Sequence, residues 1–197
     1  MKKIILASKS PRRHEILNLA GYAHTVMVSD ADETLPPDVS IVEAVRELSV
    51  RKAEAVLSEL MNEGGREDFV IVAADTVVEF EGEIFGKPRD EDDARRMLRA
   101  MSGKGHFVHT GLTVTDGERT VSETVTSTVI MRNITNDEIE GYIASGAPMD
   151  KAGAYGIQGT AGAFVSSVEG DFFSIMGLPM CRLSEILREY GIGLFDE

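Results

Sequence analysis

The residues best suited to chemistry in this chain are cations set beside hydroxyls, and carboxylates set where charge is unwelcome. Ser8-Lys9-Ser10-Pro11-Arg12-Arg13 follows the apolar run 4–7, which reads as a buried strand. Pro11 stands where a first helical residue would, and loses nothing by lacking an N–H there. The free amides and positive end of that helix would point into the bend, joined by the Ser8 and Ser10 hydroxyls and by Lys9, Arg12 and Arg13. Such a constellation is an anion cradle. A capped surface helix with two solvated arginines fits the same residues. Asp75 comes directly after residues 69–74, the most hydrophobic segment of the chain. A carboxylate there is costly to bury unless it meets a cation or a metal, with a turn-capping role as the competing account.

Three further positions carry charge or unusual backbone. Lys52 falls on the apolar stripe Ile41, Val45, Leu48, Val56, so its ammonium either snorkels to the edge or meets an anion. Lys87 lies between Gly86 and Pro88, which positions its backbone although it is in a loop. Ser29-Asp30-Ala31-Asp32-Glu33-Thr34 is an acidic bend closed by Pro36-Pro37; it lacks the glycine and terminal glutamate of a calcium loop. It is either a solvated turn or a carboxylate facing a site. Gly153, Gly156, Gly159 and Gly162 punctuate the run 150–162 and imply unusual torsions or close approach. That run has neither the Gly-Lys-Ser/Thr of a P-loop nor an opening Gly-x-Gly.

These residues need a framework of strands and helices in alternation. A short helix follows the cradle and stops at Gly21, and residues 25–28 form a second strand. Ser40 and Glu43 predict a capping box for a helix to about Asn62, stopped by Gly64-Gly65. The continuous apolar run 69–74 predicts a central strand covered on both faces, with Asp75 at its end. Glu81-Gly82 reads as a hairpin turn, and residues 90–101 as a helix whose Arg95, Arg96 and Arg99 form a solvated face. Residues 106–114 and 121–131 read as a hairpin through Asp116-Gly117. His106 and His109 lack ligand spacing, so strand packing or hydrogen bonding accounts for them. Thr135 and Glu138 predict a second capping box, residues 164–176 further strand, and Leu178-Pro179 the start of a last helix.

Composition narrows the classes. The 197 residues, 43% hydrophobic and 27% charged, suit one α/β domain or two tightly joined lobes with a substantial core. A net charge of -13 argues against a nucleic-acid groove but leaves room for a small polyanion in a cleft, with a divalent cation enlisting the acidic residues. A single cysteine, Cys181, rules out an intrachain disulfide. Lys2 and Lys3 precede too short an apolar run for a signal peptide, and no stretch approaches a membrane span, so a cytoplasmic location is expected.

Taken in order, Ser8-Lys9-Ser10-Pro11-Arg12-Arg13, Asp32-Glu33, Lys52-Ala53, Ala74-Asp75-Thr76, Gly86-Lys87-Pro88, Thr110-Gly111 and Ala154-Tyr155-Gly156-Ile157-Gln158-Gly159 resemble the Maf family of nucleoside triphosphate pyrophosphatases. The resemblance spans about residues 4–190. It implies one elongated α/β domain over 1–197, with a mixed twisted sheet, flanking helices and a deep cleft between two lobes, as in inosine-triphosphatase-like proteins. It implies hydrolysis of a nucleoside triphosphate to the monophosphate and pyrophosphate with Mg²⁺, Mn²⁺ or Co²⁺, and often a homodimer. It implies Asp75 as proton acceptor, with Glu33 and Asp75 as metal residues. Arg12, Thr76 and Gln158 match positions that set substrate choice and resemble the dTTP- and UTP-preferring subgroup; Ser8, Ser10, Arg13, Lys52 and Lys87 would hold the triphosphate. The rival reading is a nucleotide-binding regulator of cell division that does not hydrolyse its ligand.

Overall fold

The computed structural model describes residues 2–28, 30–34, 39–62, 64 and 68–195. In chain order the elements are β1 (Lys3–Leu6), α1 (Pro11–Leu19), β2 (His24–Val26), α2 (Ile41–Asn62), β3 (Phe69–Phe80), β4 (Glu83–Phe85), α3 (Glu91–Met101), β5 (Gly105–Thr115), β6 (Thr120–Met131), α4 (Asn136–Ala144), β7 (Val165–Glu169), α5 (Phe172–Met176) and α6 (Met180–Glu189). Three short 3-10 turns, Ala147–Asp150, Ala152–Ala154 and Thr160–Phe164, fill the glycine-rich run. The sheet is mixed, in the order β2-β1-β3-β5-β6-β7 with β4 also pairing β3. β1 runs parallel to β2 and β3, while β3–β4 and β6–β7 are antiparallel. The α/β class and the mixed sheet are as expected.

The chain divides into two compact units. The first comprises Met1–Asp75, Thr110–Val125 and Gly177–Glu197. In it α2 packs on one face of β1 and β3: Ala53 and Val56 close over Ile5, Ala7, Phe69, Ile71 and Ala73. Each fully buried aliphatic side chain there contributes about 1.5–3 kcal/mol. Side chains alternate along a strand, so Phe69, Ile71, Ala73 and Asp75 all face α2. Gly111 of β5 sits so close to α2 that a Cβ on it would lie 2.2 Å from the Val45 carbonyl oxygen. Below that contact, Ser49 Oγ lies 2.7 Å from Thr113 Oγ1, which in turn lies 2.9 Å from Ser122 Oγ. Thr124 Oγ1 donates to the Val42 carbonyl at 2.8 Å, so α2 is fixed along the sheet at three levels.

The second unit comprises Thr76–His109 and Thr126–Met176. Its core takes Val78 and Phe80 from β3 with Met97, Leu98 and Met101 of α3, Ile139, Tyr142 and Ile143 of α4, and Ala154, Tyr155 and Phe164 from the glycine-rich run. Both hairpin turns form as expected. Glu81 and Gly82 take φ of 50° and 83°, the left-handed pair that matches strand twist, and Gly117 has φ 89°.

Several local expectations need correction. β3 does not stop at residue 74 but continues to Phe80, so Asp75 is mid-strand. Residues 164–176 are not continuous strand: β7 ends at Glu169 and α5 follows. Only half of the first capping box forms, since Ser40 Oγ accepts from Glu43 N but the Glu43 carboxylate turns to Arg46. The second is complete, with Thr135 and Glu138 exchanging both bonds. Arg95 does not lie on a solvated face; it forks onto Glu140 at 2.6 and 2.7 Å. Arg96 and Arg99 are exposed as expected, with Arg96 over the Phe85 ring. The closing Pro36-Pro37 and the stop at Gly65 lie outside the described residues.

Candidate active site

In the first unit, the loop leaving β1 carries the cradle. The Ala7 amide still pairs with the Val72 carbonyl at 2.8 Å, and the chain then turns away from β3 just short of Asp75. Ligands of open α/β sheets collect outside such carboxyl ends of strands. Ser8 is buried, and its Oγ accepts from the Ser10 amide at 3.2 Å and from Arg13 Nη1 at 3.0 Å. Arg13 is not a solvated arginine. It is buried, and its Nε donates to the Gly177 carbonyl at 2.7 Å. Burial holds its pKa below the ordinary arginine value, opposed by the charges of Asp75 and Glu33 and reinforced by Arg12. The arginine pair and the two carboxylates therefore act on one another electrostatically. Ser10 caps α1 with extended backbone and no side-chain cap bond.

Lys52 resolves the choice left open by its position. Its Nζ lies 2.6 Å from Asp75 Oδ1 and 2.9 Å from Glu33 Oε1. The Lys52 side chain is 10% exposed and that of Asp75 15%, so the pair is compensated charge in a largely dry setting. Glu33 is 62% exposed. The acidic bend is thus no free turn: Lys52 holds Glu33, and Arg51 Nη1 donates to the Thr34 carbonyl at 3.0 Å. Within the bend, Asp32 Oδ1 accepts from the Thr34 amide. Two carboxylate oxygens that reach one ammonium nitrogen address a single cation position. Hard oxygen donors there suit Mg²⁺ or Mn²⁺, which need only one or two carboxylates when phosphates supply the rest. Among the described residues no group of three His, Cys, Asp or Glu side chains forms a fuller cage.

Thr76, Lys87 and Gln158 belong to the second unit. Thr76 follows Asp75 along β3, and alternation directs its side chain to the opposite face of the strand. Lys87 and Gln158 are exposed. Their two loops are joined, because the Gly153 amide donates to the Gly86 carbonyl at 3.1 Å. Beneath them His106 Nε2 lies 2.8 Å from the Tyr155 hydroxyl. Burial depresses the His106 pKa to about 4, so its ring is neutral near pH 7, and raises the Tyr155 phenol beyond the usual range. His109 is likewise a hydrogen-bonded strand residue, between Glu79 Oε2 at 2.7 Å and Thr126 Oγ1 at 2.8 Å. Reading the sequence missed the Gly177 carbonyl, Arg51 and the Ser49–Thr113 pair as supports of the charged cluster. An alternation count along 69–75, set against the stripe of α2, would have paired Asp75 with Lys52.

The Maf-like protein family pattern matches residues 3–190. This chain belongs to the Maf family. Among its relatives, the dTTP/UTP pyrophosphatase of Desulfitobacterium hafniense (strain Y51) is 43% identical over 196 residues, covering 99% of this chain and 88% of its own. The dTTP/UTP pyrophosphatase of Bacillus cereus (strain G9842) is 42% identical over 192 residues, 98% of this chain and 97% of its own. Among solved structures, the Staphylococcus aureus Ham1 protein aligns with a TM-score of 0.45 at 15% identity, over 66% of this chain and 72% of that one. The Maf membership accounts for the order of the motifs along the chain. No helix among the described residues is long and apolar enough to cross a membrane.

Proposed function

We propose that this protein hydrolyses dTTP and UTP to the monophosphate and pyrophosphate. The observation that carries this reading is the Lys52 ammonium held between Asp75 and Glu33, two carboxylates whose charges also act on buried Arg13. The names of the nearly full-length relatives support the substrate pair. Cleavage forms a bond between a water oxygen and the α-phosphorus and breaks the bond from that phosphorus to the oxygen bridging to the β-phosphate. Pyrophosphate leaves with the electron pair. Asp75 Oδ1 is engaged by Lys52, and we assign Oδ2 to take the proton of the attacking water. Arg13, Lys52 and Lys87, with Ser8, Ser10 and the first amides of α1, offset the triphosphate charge, arginine as a fork and lysine as a point charge, while Arg12 belongs with Thr76 and Gln158 to substrate choice. Glu33 and Asp75 would hold a divalent cation, which when bound draws charge from the phosphate oxygens.

Gln158 carries an amide donor and acceptor that match the O4 and N3–H edge of thymine and uracil. A hydrogen-bonding site rejects a wrong base far better than it senses one methyl group, worth roughly 1–3 kcal/mol; dTTP and UTP are accordingly poorly distinguished. Thr76, on the other face of β3 from Asp75, contributes to this choice rather than to proton transfer. A homodimer in the cytoplasm completes the reading.

The test is pyrophosphate release from the purified protein with a panel of nucleoside triphosphates, with and without Mg²⁺. Release from dTTP and UTP well above the purine triphosphates is expected. Binding without release under every metal would overturn the enzyme in favour of a regulator.

A further inference from the structure

The glycine-rich run holds a backbone conformation that its own sequence does not favour. Gly153 has φ 68° and ψ 12°, and the next residue, Ala154, also takes a positive φ, 60°. A left-handed alanine is uncommon, of the class of conformations that cost about 1 kcal/mol or more and persist only where surroundings over-determine them. Ala154 is completely buried, and a Cβ at Gly153 would meet Val78 at 3.1 Å, so the segment is pressed onto β3. Two bonds then fix the path of the chain into residues 156–158. The Gly153 amide donates to the Gly86 carbonyl. The Tyr155 hydroxyl lies 2.8 Å from His106 Nε2, with the two rings edge-to-face at 5.3 Å. His106 is 2% exposed and its Nδ1 has no hydrogen-bond partner, so one imidazole nitrogen is left buried and unsatisfied for the sake of a single bond to Tyr155. Such a sacrifice costs about as much as the bond returns. The start of residues 156–158 is thereby fixed, and the Gln158 Oε1 lies 3.5 Å from where a Cβ on Gly156 would stand.

We infer that Tyr155, anchored through its hydroxyl to His106, is a positioning residue for base selection, fixing the Gln158 amide against the pyrimidine edge. This rests on the proposal that Gln158 selects the base. Tyr155 contacts no substrate. Its phenol sets where the backbone of Gly156 emerges, and the strained Ala154 is the mark of that constraint.

The experiment measures kcat/KM for dTTP against dATP in the full-length protein and in Gln158→Ala, Tyr155→Phe and His106→Gln, together with amide hydrogen exchange at residues 156–158. Tyr155→Phe keeps the ring and removes only the hydroxyl. It is expected to lower the dTTP/dATP ratio by about three- to tenfold, the span of one net hydrogen bond, and to speed exchange at Gly156. His106→Gln, which retains a polar partner, is expected to fall between Tyr155→Phe and the parent. Ala154→Gly relieves the left-handed strain without deleting a bond; it is expected to leave the melting temperature level or higher while lowering the ratio, a pattern that a merely structural role would not give. If Gln158→Ala collapses the ratio but Tyr155→Phe and Ala154→Gly leave it unchanged, the inference falls and the reading of Gln158 stands. If Gln158→Ala leaves the ratio unchanged, that reading falls; unaltered exchange at Gly156 in Tyr155→Phe would then remove the anchoring as well.

Discussion

The two units hold their functional residues by opposite means. In the first, charge holds charge: Lys52 between Asp75 and Glu33, with Arg13 buried against Ser8 and a backbone carbonyl. In the second, neutral groups do the holding: an uncharged His106, the Tyr155 phenol and the Gly153 amide around a strained alanine. Ion pairs suit a place where a polyanion must arrive and redistribute charge, because compensated cations can be shared with an incoming phosphate. Neutral bonds suit a place where shape has to be kept whatever charge passes nearby. Chemistry and selection should therefore respond to different perturbations.

The largest effect should fall on the charged side. Asp75→Asn preserves size but removes the proton acceptor and the Lys52 counter-charge, and pyrophosphate release from dTTP should drop about 100- to 10,000-fold. A drop of less than about tenfold would take Asp75 out of the reaction. On the neutral side, acid is the sharper probe. His106 has its pKa lowered from 6.5 to about 4, so as pH falls the unfolded chain takes up the proton first. The His106 contribution to stability is full above pH 6.5, declines between pH 6.5 and 4, and levels off below; the decline amounts to roughly 3 kcal/mol at about 1.36 kcal/mol per pH unit. Denaturant unfolding of the parent and of His106→Gln across that range should show the slope shrinking in the variant; equal slopes would assign the acid sensitivity elsewhere.

Gly111→Ala bears on the seat of α2 rather than on either set of bonds. Its Cβ would stand 2.2 Å from a helix carbonyl, and backbone cannot give way as a side chain can. A loss of about 1–3 kcal/mol is expected from the denaturant midpoint. Because Lys52 lies two turns beyond Val45 on the same helix face, kcat/KM should fall as well, while the dTTP/dATP ratio stays level. A shift in that ratio would blur the division between the units. The smallest effect is Thr135→Ala, which removes the α4 cap; a loss of about 1 kcal/mol in the same measurement, with no change in activity, is expected.

Most of the framework was legible because short-range physics sets it. The apolar run at 69–74, the Asp116-Gly117 turn and the Thr135/Glu138 box each state their structure within a few residues. The failures were equally local in origin. A charged residue looked like the end of β3, whereas Lys52, supplied by a helix distant in sequence, lets the strand carry Asp75 in its middle. Arg95 looked solvated because its partner, Glu140, is 45 residues away. Ser8, Arg13, Lys52 and Asp75 could be singled out by type. That Ser8 braces Arg13, and that Glu33 shares one ammonium with Asp75, depends on pairings no window of sequence contains. A hydrogen-bonded role for His106 was legible, but that its partner is Tyr155, 49 positions away, was not.

The cradle and Asp75 are borne by β1 and β3, which are hydrogen-bonded neighbours running the same way. The spacing of those two strands, about 4.8 Å, is consequently the base from which the bend after β1 carries the cradle. Transplanting this arrangement into another scaffold would require two adjacent parallel strands in register. An inserted residue between Ser8 and Ser10 would swing the arginines while leaving Asp75 on β3, held by Lys52.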